Sequence, residues 1–169
     1  EKVTIMSPSV TGMVPDLAAY TVAALTDNAE ITVKYSRATY KITVHFKEVN
    51  THDYRVFEDF TVMVKYGDTY SFVLADHPEY INAAYTTDVA TLDFGTVTGD
   101  AEQTIIYTPK SLTLTVEYKN DKGEVIATVT QTVLAGRTYN VPAKKLEGYV
   151  EAAAQTGNMG VEDKTIVVT

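Results

Sequence analysis

Cysteine and tryptophan are both absent from this 169-residue chain. Without cysteine no disulfide staples a small domain and no thiolate binds zinc or attacks a substrate, so any small domain here rests on its apolar core. No stretch reaches the roughly 18 consecutive apolar residues that a membrane-spanning helix needs, so no membrane insertion is expected of these residues. No basic-then-apolar leader opens the chain and its first residue is Glu, so the sequence reads as a piece of something longer. Positive charge is scarce. Fourteen Lys and Arg face 22 Asp and Glu, a net charge of −8, which is the opposite of the basic footprint that nucleic-acid phosphates require. The deficit is uneven: −1 over residues 1–39, −7 over 40–108 and 0 over 109–169.

What the chain has in excess is Thr, at 26 residues, together with 12 Tyr. With Val and Ile these suit a pleated, half-buried surface, so strands are expected. Period-two alternation locates them. Tyr40, Ile42, Val44 and Phe46 share one face, with Lys41, Thr43 and His45 opposite. Leu112, Leu114, Val116 and Tyr118 repeat the pattern against Thr113, Thr115 and Glu117. Phe60, Val62, Val64 and Tyr66 alternate, and Ile31, Val33 and Tyr35 form a further short run. One-sided alternation predicts antiparallel sheets with one buried face. Asn120-Asp121-Lys122-Gly123 reads as a hairpin turn, and Gly67 and Gly136 as turns leading into short strands. Pro15-Asp16 before Leu17-Ala18-Ala19, and Asn82 to Tyr85, are the two places where a turn or two of helix is expected.

The chain repeats itself. Val64-Lys65-Tyr66-Gly67-Asp68-Thr69-Tyr70 matches Val133-Leu134-Ala135-Gly136-Arg137-Thr138-Tyr139 at an offset of 69, and Tyr80 falls on Tyr149. Thr43 to Phe46 matches Thr115 to Tyr118 at 72, and Thr104 to Ile106 matches Thr165 to Val167 at 61. Strands agree while connections vary, as loops tolerate insertion. Two complete copies are therefore expected at 40–108, the acidic one, and at 111–169. Glu30 to Tyr35 falls where the strand ending near Tyr107 falls, so residues 1–36 read as the back half of a truncated copy. A piece this small should not fold alone and is expected to pack on the middle copy or borrow a strand. The short links at 36–39 and 108–111, the second containing Pro109, predict a semi-rigid rod.

The last copy reads LTLTVEYKNDKGEVIATVTQTVLAGRTYNVPAKKLEGYVEA and then TIVVT. It resembles the MucBP (mucin-binding protein) repeat of Gram-positive bacterial surface proteins. The resemblance lies in a first strand ending at Tyr118, a hairpin over Asp121–Gly123, Gly136 to Tyr139, Gly148-Tyr149 and a terminal strand at Thr165–Val168. The middle copy departs from it: Val49-Asn50-Thr51-His52 lacks the hairpin Gly, and Glu79 precedes Tyr80. The resemblance implies a mainly β architecture of tandem small β-grasp-like (ubiquitin-like) domains with little helix. It also implies display on the cell wall of a Gram-positive bacterium and adhesion, with host glycan or glycoprotein such as mucin as partner alongside neighbouring repeats of the chain. A non-binding stalk that projects another domain is the alternative.

No residue pattern points to an enzyme, a cofactor or a metal. Asp121 to Glu124 lacks the alternating carboxylates of a calcium loop. His45, His52 and His77 have no ligand spacing and read as solvated residues, with His52-Asp53 in a hairpin. Glu58-Asp59 and Glu162-Asp163 are sequence neighbours that point to opposite faces of a strand and read as surface solvation. A Lys–Asn isopeptide bond needs an inward Lys, whereas Lys34, Lys41 and Lys65 fall outward by alternation. Tyr40, Tyr118, Tyr70, Tyr139, Tyr80 and Tyr149 recur at equivalent positions and are expected in the core. Tyr54, Phe57 and Tyr85 have no counterparts in the last copy and are the ligand-binding candidates.

Overall fold

The computed structural model describes residues 2–23, 28–51 and 54–169; His52 and Asp53 lie outside them. Strand makes up 57% and helix 4%, so the protein is mainly β. In chain order the strands are β1 (Val3–Met6), β2 (Met13–Pro15), β3 (Ala19–Val22), β4 (Tyr35–Arg37) and β5 (Thr39–Glu48). Then come β6 (Arg55–Lys65), β7 (Thr69–Val73), β8 (Tyr85–Thr87), β9 (Thr91–Thr96) and β10 (Ala101–Pro109). The last five are β11 (Ser111–Lys119), β12 (Val125–Leu134), β13 (Thr138–Val141), β14 (Gln155–Asn158) and β15 (Lys164–Val168). Single turns of 3-10 helix occupy Leu74–Asp76 and Pro78–Tyr80. Contacts divide the chain into two compact units, one of Glu1–Phe46, Phe57–Leu74 and Ala90–Ile105, the other of Lys47–Val56, Ala75–Val89 and Ile106–Thr169.

In the first unit, alternation on β5 buries Ile42, Val44 and Phe46. Phe72 of β7 lies between Phe46 and Phe60, at 5.9 and 5.1 Å between ring centroids. Offset and tilted ring packing of this kind adds about 0.5–1.5 kcal/mol per pair beyond area burial. The opposite face of β5 departs from expectation. Lys41 is exposed, but Thr43 is buried, and His45 sits within 2.9 Å of Asp59 on β6 and 3.3 Å of Glu102 on β10. His45 on the inner strand β5 and Asp59 on the edge strand β6 are thus partners rather than surface solvation. The sheet order β6-β5-β10-β8 places β5 between neighbours whose side chains screen its polar face. Lys34, Lys41 and Lys65 are exposed.

The first four strands pair among themselves: β1 with β3 and β2 with β4, both antiparallel. The helix expected after Pro15 does not form. Asp16 instead accepts the backbone N–H groups of Leu17 (3.0 Å) and Lys34 (3.3 Å) and the hydroxyl of Tyr20, a local capture of donors that competes with helix. The strand expected over Ile31, Val33 and Tyr35 is also shorter, since only Tyr35 lies within β4. The stretch of β10 that it matches in sequence pairs with β5.

In the second unit β11 and β12 form an antiparallel hairpin. The Asn120 side chain accepts from the N–H groups of Lys122 (3.0 Å) and Glu124 (2.9 Å), and Gly123 supplies a φ of +81°, a conformation that costs glycine nothing. Leu114, Val116 and Tyr118 of β11 pack with Tyr139, Val141, Met159 and Val168. β15 lies beside β11 in parallel, so this sheet is mixed and not antiparallel throughout. The chain between β12 and β15 is long enough for the crossover that a parallel neighbour requires. β8 pairs with the end of β10. Before it, Asn82 to Tyr85 forms a turn and not a helix: the Ala84 N–H donates to Asn82 Oδ1 (3.0 Å) and the Tyr85 N–H to Asn82 O (3.0 Å).

Candidate functional site

Tyr54, Phe57 and Tyr85 are placed differently from one another. Tyr54 is 51% exposed. Phe57, in the first unit, is half-buried with its ring edge-on to Phe46 at 6.1 Å. Tyr85, in the second unit, is half-buried edge-on to Tyr107 at 6.0 Å. Its hydroxyl donates to Glu48 Oε2 at 2.8 Å. Burial, and then that hydrogen bond, push its phenol up to about 12. Two of the three side chains are therefore committed to internal contacts.

One concavity lies in the second unit. A groove of about 500 Å³ is walled by Tyr118 and Lys119 at the end of β11, Lys144 and Leu146 after β13, and Tyr149 and Val150. The β11–β12 turn and the irregular stretch between β13 and β14 form its sides. The Leu146 carbonyl accepts from the Tyr149 N–H at 3.1 Å, and Gly148, with φ +82°, swings Tyr149 outward. Tyr149 is 48% and Val150 94% exposed, so the expectation that Tyr149 packs in the core fails. Its position matches Tyr80, which is half-buried, but position in a repeat does not settle which way a loop side chain faces. Tyr118 and Tyr139 do lie in the core. The Lys144 ammonium stands 5.4 Å from the Tyr118 ring centroid, a cation–π contact that fixes the charge at the groove wall. An exposed ring beside a fixed cation, with Asn120, Asp121 and Glu151 at the rim, offers a stacking face and hydrogen-bonding groups together. Among the described residues no cluster of three His, Asp or Glu side chains is arranged to hold a metal.

The strands that build this groove can be compared with known proteins. Residues 113–169 match the MucBP domain family. The MucBP segment therefore contains the whole groove and starts two residues into β11. No curated protein matches the chain. Among solved structures, the TIE protein of Bacillus anthracis aligns with 99% of this chain at a TM-score of 0.56 and 10% identity, a likeness of fold alone. This chain spans 41% of that one. A structure titled Mub-RV aligns with 76% of this chain and 97% of its own, at a TM-score of 0.32 and 12% identity. The type 2 repeat of the mucus binding protein MUB from Lactobacillus reuteri aligns with 77% of this chain and 98% of its own, at 0.30 and 15%. No helix of the described residues is long and apolar enough to cross a membrane.

Proposed function

We propose that the chain belongs to a bacterial cell-surface repeat protein that adheres to host or matrix glycoproteins such as mucin, with the groove of the MucBP segment as a contact surface. The MucBP match over residues 113–169 carries this reading, because it falls on the segment with the exposed aromatic groove. The copies are a truncated one at 1–36, an acidic one at 40–108 and one at 111–169. The fold of each complete copy is β-grasp-like; the β11–β12 hairpin with β15 parallel to β11 supports that assignment in the last. The copies stand on the wall of a Gram-positive bacterium as an elongated rod, and the exposed Tyr54 of the acidic copy adds a second aromatic contact. Immobilised mucin tests the proposal: the chain is retained, and Tyr149→Ala reduces retention by about tenfold, in the range of a buried aromatic anchor. Absence of retention by the wild-type chain refutes adhesion to mucin and favours a spacer that projects another domain.

A further inference from the structure

Two seams in the chain share one pattern of backbone hydrogen bonds. In the first unit the Ala38 N–H donates to Gly12 O (2.8 Å), and the Ala38 carbonyl accepts from the Tyr66 N–H (2.8 Å). In the second unit the Lys110 N–H donates to Ala84 O (2.9 Å), and the Lys110 carbonyl accepts from the Ala135 N–H (2.8 Å). Gly12 and Ala38 precede Ala84 and Lys110 by 72 residues, and Tyr66 precedes Ala135 by 69, the offsets of the repeat itself. Each seam therefore clamps a single linker residue between one copy and the next.

The side chains at the seams differ in a matched way. A Cβ on Gly12 would stand 2.1 Å from Cδ1 of Tyr66, and the φ of Gly12 is +70°, so the first seam has a hollow filled by a ring. At the second seam the same two positions are Ala84 and Ala135, both buried, so there is neither hollow nor ring. Charge is inverted as well. Asp68, two residues after Tyr66, pairs with Arg37 at 2.5 Å. Its counterpart Arg137 pairs with Glu48 at 3.1 Å, and Glu48 is only 8% exposed. Placed on the second seam, the turn of the middle copy would bring the Tyr66 ring to a place with no glycine hollow to receive it and set Asp68 against Glu48. Placed on the first seam, the turn of the last copy would leave the Gly12 hollow empty and set Arg137 against Arg37.

We propose that the turns Tyr66–Asp68 and Ala135–Arg137 are keys, each matched in size and charge to the copy before it, so that a copy docks in only one place in the chain order. The proposal rests on the repeat reading above and not on mucin binding. Building repulsion against the wrong neighbour as well as attraction for the right one is how specific interfaces discriminate.

Limited trypsin digestion of the full chain, with cleavage products identified by mass, tests it. Trypsin cuts after Arg37 and after Lys110, the bonds at the two seams, and native-state cutting reports local opening. In the wild-type chain both bonds are cut much more slowly than the bond after Lys122 in the exposed hairpin turn. Ala135→Tyr with Arg137→Asp, which puts the first key on the second seam, speeds cutting after Lys110 by about tenfold or more and leaves cutting after Arg37 unchanged. Adding Ala84→Gly and Glu48→Arg returns Lys110 to slow cutting. If the transplanted key leaves Lys110 protected, the keys carry no specificity and the proposal falls. It falls equally if the fourfold variant, folded by circular dichroism, stays open. Should the transplanted key unfold the last copy, the charge exchange Arg137→Glu with Glu48→Arg decides: protection above that of Arg137→Glu alone supports the key, and no recovery refutes it. Rapid cutting at both seams of the wild-type chain would instead overturn the repeat reading.

Discussion

Gly157 faces Tyr139 across the β13–β14 pair, and this contact sets a measurable limit on the last copy. A Cβ at Gly157 would lie 2.4 Å from the Tyr139 hydroxyl oxygen and 2.6 Å from Cζ, well inside van der Waals contact. The ring has little room to yield. Tyr139 is buried, and the Lys164 ammonium lies 5.2 Å from its centroid. Overpacking of this kind costs about 1–3 kcal/mol, while replacing glycine within a strand returns about 0.5–1 kcal/mol. Gly157→Ala is therefore destabilising by up to about 2.5 kcal/mol. For a domain of this size that is a fall in Tm of roughly 4–8 °C per kcal/mol. The assay is denaturant unfolding of the full chain, followed by near-ultraviolet tyrosine dichroism. Gly160→Ala is the control: a Cβ there meets nothing within 4 Å, and stability should stay within about 0.5 kcal/mol. In a Tyr139→Leu background the cost of Gly157→Ala should largely vanish, because the clashing atoms are gone. An undiminished cost in that background, or a stability gain in the wild-type background, refutes the steric account.

Two further outcomes follow from hydrogen bonding and burial. Burial pushes the Tyr107 phenol up to about 12, and Tyr85 is raised to about 12 by burial and by its bond to Glu48. A folded pKa above the unfolded value of 10 gives stability that is complete below pH 10 and lost as pH rises through 12. Denaturant midpoints should therefore fall steeply over that window, and less steeply in Tyr107→Phe; an unchanged slope in that variant counts against the assignment. Asp88 accepts from the N–H groups of Val89 (2.9 Å) and Ile106 (2.8 Å), so Asp88→Ala should cost about 0.5–1.5 kcal/mol, and Asp88→Asn, which keeps one acceptor oxygen, less. Equal losses for the two would show that the carboxylate charge matters more than the bonds.

Much of this architecture is readable from the residues, for identifiable reasons. The alternation of Tyr40 to Phe46 and Leu112 to Tyr118 locates β5 and β11, because a half-buried strand must alternate. The Asn120–Gly123 turn is equally legible, since it needs a side-chain acceptor and a positive φ. The parallel pairing of β15 is not, because alternation along Thr165 to Val168 is the same whichever way the partner runs. Nor is the screening of His45, which depends on strands β6 and β10 on either side. Asp16 shows a different limit: a residue that favours helix starts redirected the chain because strand partners were within reach of its carboxylate. Of the candidate site, Tyr54 is exposed as a ligand contact should be. Phe57 and Tyr85 are held inside by neighbours remote in sequence. Tyr149 was hidden by its alignment with Tyr80, although Gly148 beside it was the available signal.

The parallel placement of β15 beside β11 also has a mechanical meaning. Tension entering the last copy at Ser111 and leaving at Val168 pulls the starting end of one strand against the finishing end of its neighbour. The five residue pairs from Leu114–Lys164 to Tyr118–Val168 then bear the load together in shear, where an antiparallel hairpin pulled from its open ends would unzip pair by pair. Resistance to force is governed by the unfolding barrier rather than by equilibrium stability. This arrangement puts a strong clamp where the chain itself carries the strain, without any covalent staple.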